Sequence, residues 1–327
     1  MRIVVITGGV GGARFLRGVK HLRTRNVGGS VGDLHITAIV NTADDITLHG
    51  LRISPDLDTV MYTLGEGIDE ARGWGRNDET FNAQAELTAY GAGPDWFGLG
   101  DRDLATHLIR TRMLDAGYGL TDVTAALCAR WDIGIELLPM SDDRVETHVV
   151  VDIDGERTAL HFQEWWLRHR AALPAHEFLS VGALDAKPAP GVIEAVLAAD
   201  AVIIGPSNPV VSVAPVLAVP GIRDAVTSRP TVGISPIIGG APVRGYADAC
   251  LSAIGVPAQA GAVGLHYGAR SADGLLDAWL IDTVDAHSLE VLIAQGIASR
   301  AVPLLMSDVE AAADMAEQAL LLLDATA

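Results

Sequence analysis

The chain opens on a short β-branched run at 2–7, passes directly into Gly8-Gly9-Val10-Gly11-Gly12-Ala13-Arg14, and continues with helical spacing over 13–25. A strand that ends in paired glycines and turns at once into a helix is the first half of a parallel crossover unit, since parallel strands need a helix between them. The same alternation recurs along the chain. Strands are predicted at 35–40, 135–138, 201–204, 230–234, 276–281 and 301–305, with helices at 57–64, 82–90, 104–116, 121–131, 191–199, 246–254, 288–295 and 309–323. Ser54-Pro55 predicts a helix start, with Ser54 as N-cap and Pro55 in the first turn. The expected fold is therefore α/β, a mainly parallel sheet flanked by helices.

One stretch departs from this rhythm. Residues 145–151 and 158–162 read as strands around an Asp154-Gly155 turn, followed by Trp165-Trp166. The pattern predicts a single domain over 1–327, carrying an inserted β-hairpin and Trp-rich segment at about 141–175. An apolar fraction of 49% is ample for a large core. Net charge is −18, which repels polyanions at long range, so nucleic acid and anionic membrane are poor partners. An anionic small ligand then needs local cations, backbone N–H groups or a metal. Cys128 and Cys250 show no disulfide or metal spacing, and no signal peptide or membrane-length apolar run is present, so a cytoplasmic enzyme is expected.

The loops after the strands carry the chemistry. Gly9, Gly11 and Gly12 let a phosphate approach the backbone at a helix N-terminus, and Arg14 in the first turn is a candidate cation for it. The same glycines also suit an unliganded tight turn. A nicotinamide fingerprint fails, because Arg14 stands where the third glycine belongs and the second strand ends in Asn41 instead of an acidic residue. No Walker Gly-Lys-Ser/Thr follows, and no HExxH or GxSxG pattern occurs. Asp44 and Asp45 follow a strand end, where adjacent carboxylates suit magnesium, and Asp56 and Asp58 could complete such a site. A solvated turn and a helix-dipole role are the alternatives. Ser207 and Asn208 in Gly-Pro-Ser-Asn-Pro, and Ser235 and Gly239 in Ser-Pro-Ile-Ile-Gly-Gly, offer polar groups for a base edge or phosphate, or form plain turns.

Taken together, the loops resemble the 2-phospho-L-lactate transferases, known as CofD in archaea and FbiA in actinobacteria. The resemblance is carried by GGVGGAR at 8–14, VNTADD at 40–45, PDLDT at 55–59, LGDRDLATHLIRT at 99–111, LPMSDD at 138–143, GPSNP at 205–209 and SPIIGGAPVRG at 235–245. It implies a Rossmann-like fold, a homodimer and Mg2+ as cofactor. It also implies transfer of a phospho-acyl group from a guanosine diphosphate ester of lactate or enolpyruvate to the ribityl hydroxyl of the deazaflavin Fo, with GMP released, in coenzyme F420 biosynthesis. The arginine-rich composition favours the enolpyruvyl donor of actinobacterial members. On this reading Asp45, with Asp44 or Asp58, holds magnesium and orients the hydroxyl. The 9–14 loop holds phosphate oxygens, and Ser207, Asn208, Ser235 and Gly239 bind the nucleotide. The alternative is a non-enzymatic, nucleotide-sugar-binding regulator of the same fold, against which the paired acidic motifs speak.

Overall fold

The computed structural model describes residues 1–25 and 34–326. Its strands, in chain order, are β1 (Arg2–Thr7), β2 (His35–Val40), β3 (Ile46–Leu48), β4 (Leu51–Ile53), β5 (Glu136–Pro139), β6 (Glu146–Ile153) and β7 (Glu156–His161). They continue with β8 (Glu177–Val181), β9 (Ala201–Ile204), β10 (Thr231–Ile234), β11 (Ile237–Ile238), β12 (Ala241–Pro242), β13 (Ala278–Ile281) and β14 (Ala298–Ala301). Seven of these form one parallel sheet in the order β14-β13-β10-β9-β1-β2-β5. Helices cover both of its faces, which is why β9, β10 and β13 are buried at every residue and read as continuous apolar runs.

The period-two pattern of β1 divides the interior. Val4 and Ile6 point into a core with Val202, Ile204 and Trp165, while Ile3 and Val5 point into the opposite one with Phe15, Leu16 and Val60. Strand order fixes where a ligand can bind. From β1 the chain winds outward through β2 to β5, and after the insertion it restarts at β9 on the other flank of β1 and winds the opposite way. The reversal between β1 and β9 opens a crevice at the carboxyl ends of these strands.

The first five α-helices among the described residues are α1 (Gly9–His21), α2 (Pro55–Leu64), α3 (Asn82–Ala89), α4 (Asp103–Asp115) and α5 (Leu120–Cys128), of which α1 and α2 line the crevice. The first starts four residues earlier than the apolar spacing predicts, because Gly9 at φ +66° already turns into it. Pro55 sits in the first turn of α2 and Ser54 holds the N-cap position, but its hydroxyl makes no cap bond and donates instead to Asp45 Oδ2 at 2.7 Å. The predicted strand at 301–305 is displaced. β14 ends at Ala301, and 302–306 runs on as irregular chain, its Leu304 N–H bonded to Asp282 Oδ2 at 2.8 Å. Helices at Ala260–Tyr267 and Ile222–Thr227 escape the sequence pattern.

The inserted segment is an antiparallel sheet in the order β7-β6-β8, so a third strand joins the hairpin. Asp154 and Gly155, at φ +52° and +85°, make its tight turn. Trp165 is fully buried against Phe162 and Phe178, while Trp166 meets Tyr246 edge-on with ring centroids 5.1 Å apart. No helix among the described residues is long and apolar enough to cross a membrane.

Candidate active site

A cavity of ≈ 690 Å³ occupies the crevice, and the loops after β1, β2, β9 and β10 all reach its wall. Its polar lining includes Gly9, Gly11, Arg14, Asp44, Asp56 and Asn208, and its aromatic lining Trp74, Trp96, Phe97, Phe162, Trp166 and Tyr246. A second cleft of ≈ 590 Å³, bounded by Arg17, Glu66, Glu70 and Asp78 among others, receives none of these strand-end loops. The larger cavity is therefore the candidate site.

Close packing explains the glycines after β1. A Cβ on Gly8 would stand 2.5 Å from Asp56 Oδ2, one on Gly11 2.9 Å from the Pro206 carbonyl, and one on Gly12 1.7 Å from Thr7 Oγ1. Gly12 is thus a packing residue behind the wall, whereas Gly9 and Gly11 face the cavity. The start of α1 already serves one anion: the Gly9 N–H bonds the Asp56 carboxylate. Arg14, one turn further, makes no hydrogen bond or ion pair among the described residues and lines the cavity.

Four aspartates meet near this end of the sheet, and they fall into two kinds. Asp44 and Asp56 line the cavity though each is below one-tenth exposed. Burial raises the pKa of Asp44 well above the carboxylate range, and the neighbouring Asp56 adds to it. Burial likewise pushes Asp56 up to about 6, against hydrogen bonds from Asn41 and the Gly9 N–H. Asn41 links the two, giving Nδ2–H to Asp56 Oδ2 at 3.0 Å and accepting the Ala43 N–H at 3.0 Å. Asp44 Oδ1, like Asp45 Oδ1 and Asp58 Oδ2, is buried with no hydrogen-bond partner among the described residues; of the three aspartates only Asp44 lines the cavity.

Asp45 and Asp58 are not among the residues that line the cavity, whereas Asp44 is. Asp45 accepts from Ser54 and from Arg52 at 3.2 Å. Burial pushes it up to about 6 against the pull of Arg52. Asp58 pairs with the buried guanidinium of Arg110, and its second oxygen stands 3.7 Å from His107 Nδ1. Asp58, Asp103 and His107 place one ligand atom each within 4.8 Å of one another, but Arg110 already supplies Asp58 with a positive charge.

The later loops reach the wall with their side chains already engaged. Ser207 Oγ donates to the Gly8 carbonyl at 2.9 Å and accepts the Gly8 N–H at 3.2 Å, stapling the loops after β1 and β9 together. Asn208 Oδ1 accepts from the Val210 N–H, and Ser235 Oγ donates to the Ile237 carbonyl. Gly239 stands outside the wall, its N–H bonded to Asp285 Oδ2 at 2.9 Å. Sequence reasoning gave Asn41 no role toward a ligand and passed over the aromatic wall from 74 to 97. Tryptophans and Phe97 set among glycine and proline, as at Trp74 and Pro94-Asp95-Trp96, were the available signal.

Residues 3–314 match the model of the 2-phospho-L-lactate transferase CofD family. The phosphoenolpyruvate transferase of Streptomyces griseus is 60% identical over 322 residues, 98% of each chain. That of Thermobifida fusca is 59% identical over 316 residues, covering 97% of this chain and 96% of its own, and that of Mycobacterium avium is 54% identical over the whole of both. Among solved structures, protein BH3568 of Bacillus halodurans, described as a member of the UPF0052 family, shares the fold. It does so with a TM-score of 0.63 and 21% identity, over 98% of this chain and 99% of its own. With this family match over nearly the whole chain and relatives at 54–60% identity, the chain belongs to the CofD family of 2-phospho-L-lactate transferases.

Proposed function

We propose that this enzyme, a cytoplasmic homodimer, moves a phosphoenolpyruvyl group from enolpyruvyl-diphospho-guanosine to the ribityl hydroxyl of the deazaflavin Fo and releases GMP. The observation that carries this reading is one cavity lined by a helix N-terminus with Arg14, by two buried carboxylates that form no ion pair with a basic side chain among the described residues, and by an aromatic wall. A diphosphate, a divalent cation and a flat heteroaromatic ring match these three linings in turn. The names of relatives at 54–60% identity favour enolpyruvyl over lactyl as the group transferred.

The donor set fits magnesium at Asp44 and Asp56, hard oxygen ligands buried side by side with Asp44 Oδ1 unpartnered. When bound, the ion would neutralise charge on the diphosphate. The chain's own groups do the rest by positioning. Backbone N–H groups at the start of α1 and the Arg14 guanidinium hold phosphate oxygens. Trp74, Trp96 and Trp166 seat the ring so that the ribityl hydroxyl lies against Asp44. The hydroxyl oxygen forms a bond to the β-phosphorus, its proton passes to Asp44, and the bond to the GMP oxygen breaks. Asp45 and Asp58, placed by the resemblance at the metal, serve here as partners of Arg52 and Arg110 behind the wall. Ser207, Asn208 and Ser235 shape the nucleotide seat through the backbone that their side chains pin.

The test is purified protein with magnesium, Fo and either guanosine diphosphate ester, followed by chromatography and mass. Phosphoenolpyruvyl-Fo and GMP from the enolpyruvyl ester are expected. Folded protein that yields no product from either ester would overturn the reading in favour of a nucleotide-sugar-binding regulator.

A further inference from the structure

Three consecutive carbonyls of the loop that carries Asp44 turn toward the inserted sheet, and each meets a donor from it. The Thr147 N–H of β6 donates to the Ala43 carbonyl at 2.6 Å. Gln163 Nε2 donates to the Asp44 carbonyl at 3.4 Å, and His161 Nε2 lies 3.1 Å from the Asp45 carbonyl. The ring's other nitrogen accepts the Gln163 N–H at 3.1 Å. Nδ1 is therefore unprotonated, and the one N–H of the neutral ring is at Nε2, aimed at Asp45. Within the loop itself, Asn41 Oδ1 accepts the Ala43 N–H, and the Thr42 carbonyl accepts the Asp45 N–H at 3.2 Å.

A loop whose neighbouring peptide groups are all bonded cannot rotate one peptide without breaking another bond. His161 itself is outside the cavity wall, so any effect it has on turnover passes through the backbone.

We infer that His161, with Gln163, is a positioning residue: the inserted sheet grips the Asp44 and Asp45 carbonyls and thereby aims the Asp44 carboxylate into the cavity. This rests on the reading of Asp44 given above. The insertion is thus part of the site's framework, linking the aromatic wall at Phe162 and Trp166 to the carboxylate loop.

Two substitutions separate the ring's nitrogens. Glutamine places an amide nitrogen as many bonds from the backbone as His161 Nε2 and can still donate to Asp45. Asparagine places its amide at the position of Nδ1 and cannot reach that carbonyl. His161→Asn is expected to lower kcat about 10–100-fold, the usual scale for groups that orient a liganding side chain. Donor KM should stay within about threefold, since the nucleotide seat is untouched. His161→Gln should recover most of the rate. Hydrogen exchange on the metal-free protein gives a readout independent of turnover: amides at 43–45 should exchange faster in the asparagine variant and near the wild-type rate in the glutamine variant, with the central sheet unchanged in both. Wild-type kcat and exchange in His161→Asn, or equal impairment in both variants, would overturn the inference. Asp44→Asn measured in parallel keeps the two claims apart. If it retains turnover, the reading of Asp44 has failed, whereas loss of turnover there beside a wild-type His161→Asn removes the positioning role alone.

Discussion

Asp44 and Asp56 on one side, and Asp45 and Asp58 on the other, are four buried aspartates within fifteen positions of one another, and they meet opposite fates. Burial raises all four toward the protonated form. Behind the wall, arginines oppose that rise: Arg52 and Arg110 for Asp45, and Arg110 for Asp58. At the cavity the groups that oppose it are neutral hydrogen-bond donors, such as Asn41 and the Gly9 N–H. A buried carboxylate without a counter-charge is costly to ionise, and that cost is what the cation proposed above would offset. Asp45 and Asp58 are ion-paired behind the wall, and Asp44 and Asp56 line the cavity with neutral partners.

Substitutions should break the comparison cleanly. Asp44→Asn is expected to cost about 10²–10³ in kcat, the scale for losing a group that stabilises developing charge. Its melting temperature should hold or rise, because an unpaired buried carboxylate is removed. Steady-state kinetics and a thermal melt check both, and a variant near the wild-type rate would erase the distinction.

Arg110→Leu should do the reverse. Stripping the guanidinium from Asp58 leaves a buried carboxylate uncompensated, which typically costs about 3–5 kcal/mol, read as a lowered urea midpoint. An unchanged midpoint would mean that the ion pair contributes nothing to the wall.

Acidity sharpens the contrast further. Asp56, at about 6 in the fold against an ordinary 3.8, binds its proton more tightly folded than unfolded. The stability this confers is present below the ordinary aspartate range and is lost as pH rises through about 6. Divalent-cation affinity moves the other way, tightening as the carboxylate ionises. Magnesium titrations at successive pH values should show this rise, with protons released on binding, and a flat profile would contradict the assignment.

The smallest effect belongs to the aromatic wall. Trp74→Ala should raise acceptor KM by about 2- to 10-fold, the worth of one aromatic contact, with kcat and donor KM little changed. A larger change in donor KM would place the nucleotide, and not the deazaflavin, against this wall.

Much of the scaffold was legible because its cause is local. Fully buried parallel strands leave continuous β-branched runs, so 201–204 and 230–234 stand out, and paired glycines mark the turn from β1 into α1. The run Val302-Pro303-Leu304-Leu305 misled for an equally physical reason. Val302 and Leu304 pack on the core, Leu304 and Leu305 line the cavity, and Pro303 has no N–H to give a ladder. The division among the aspartates was not legible. Adjacent residues such as Asp44 and Asp45 look alike in sequence, and Arg110, which decides the matter for Asp58, lies on α4, 52 positions away. Likewise, nothing local to His161 announces that its ring will meet the Asp45 carbonyl, 116 positions distant.

The most direct test of the division is manganese binding in the presence of GDP, followed by electron paramagnetic resonance, in Asp44→Asn and Asp56→Asn beside Asp58→Asn. Loss of bound manganese in the first two, with retention in a folded Asp58→Asn, is the expected result; retention in Asp44→Asn and Asp56→Asn, with loss in a folded Asp58→Asn, would contradict it and return the cation to the site behind the wall.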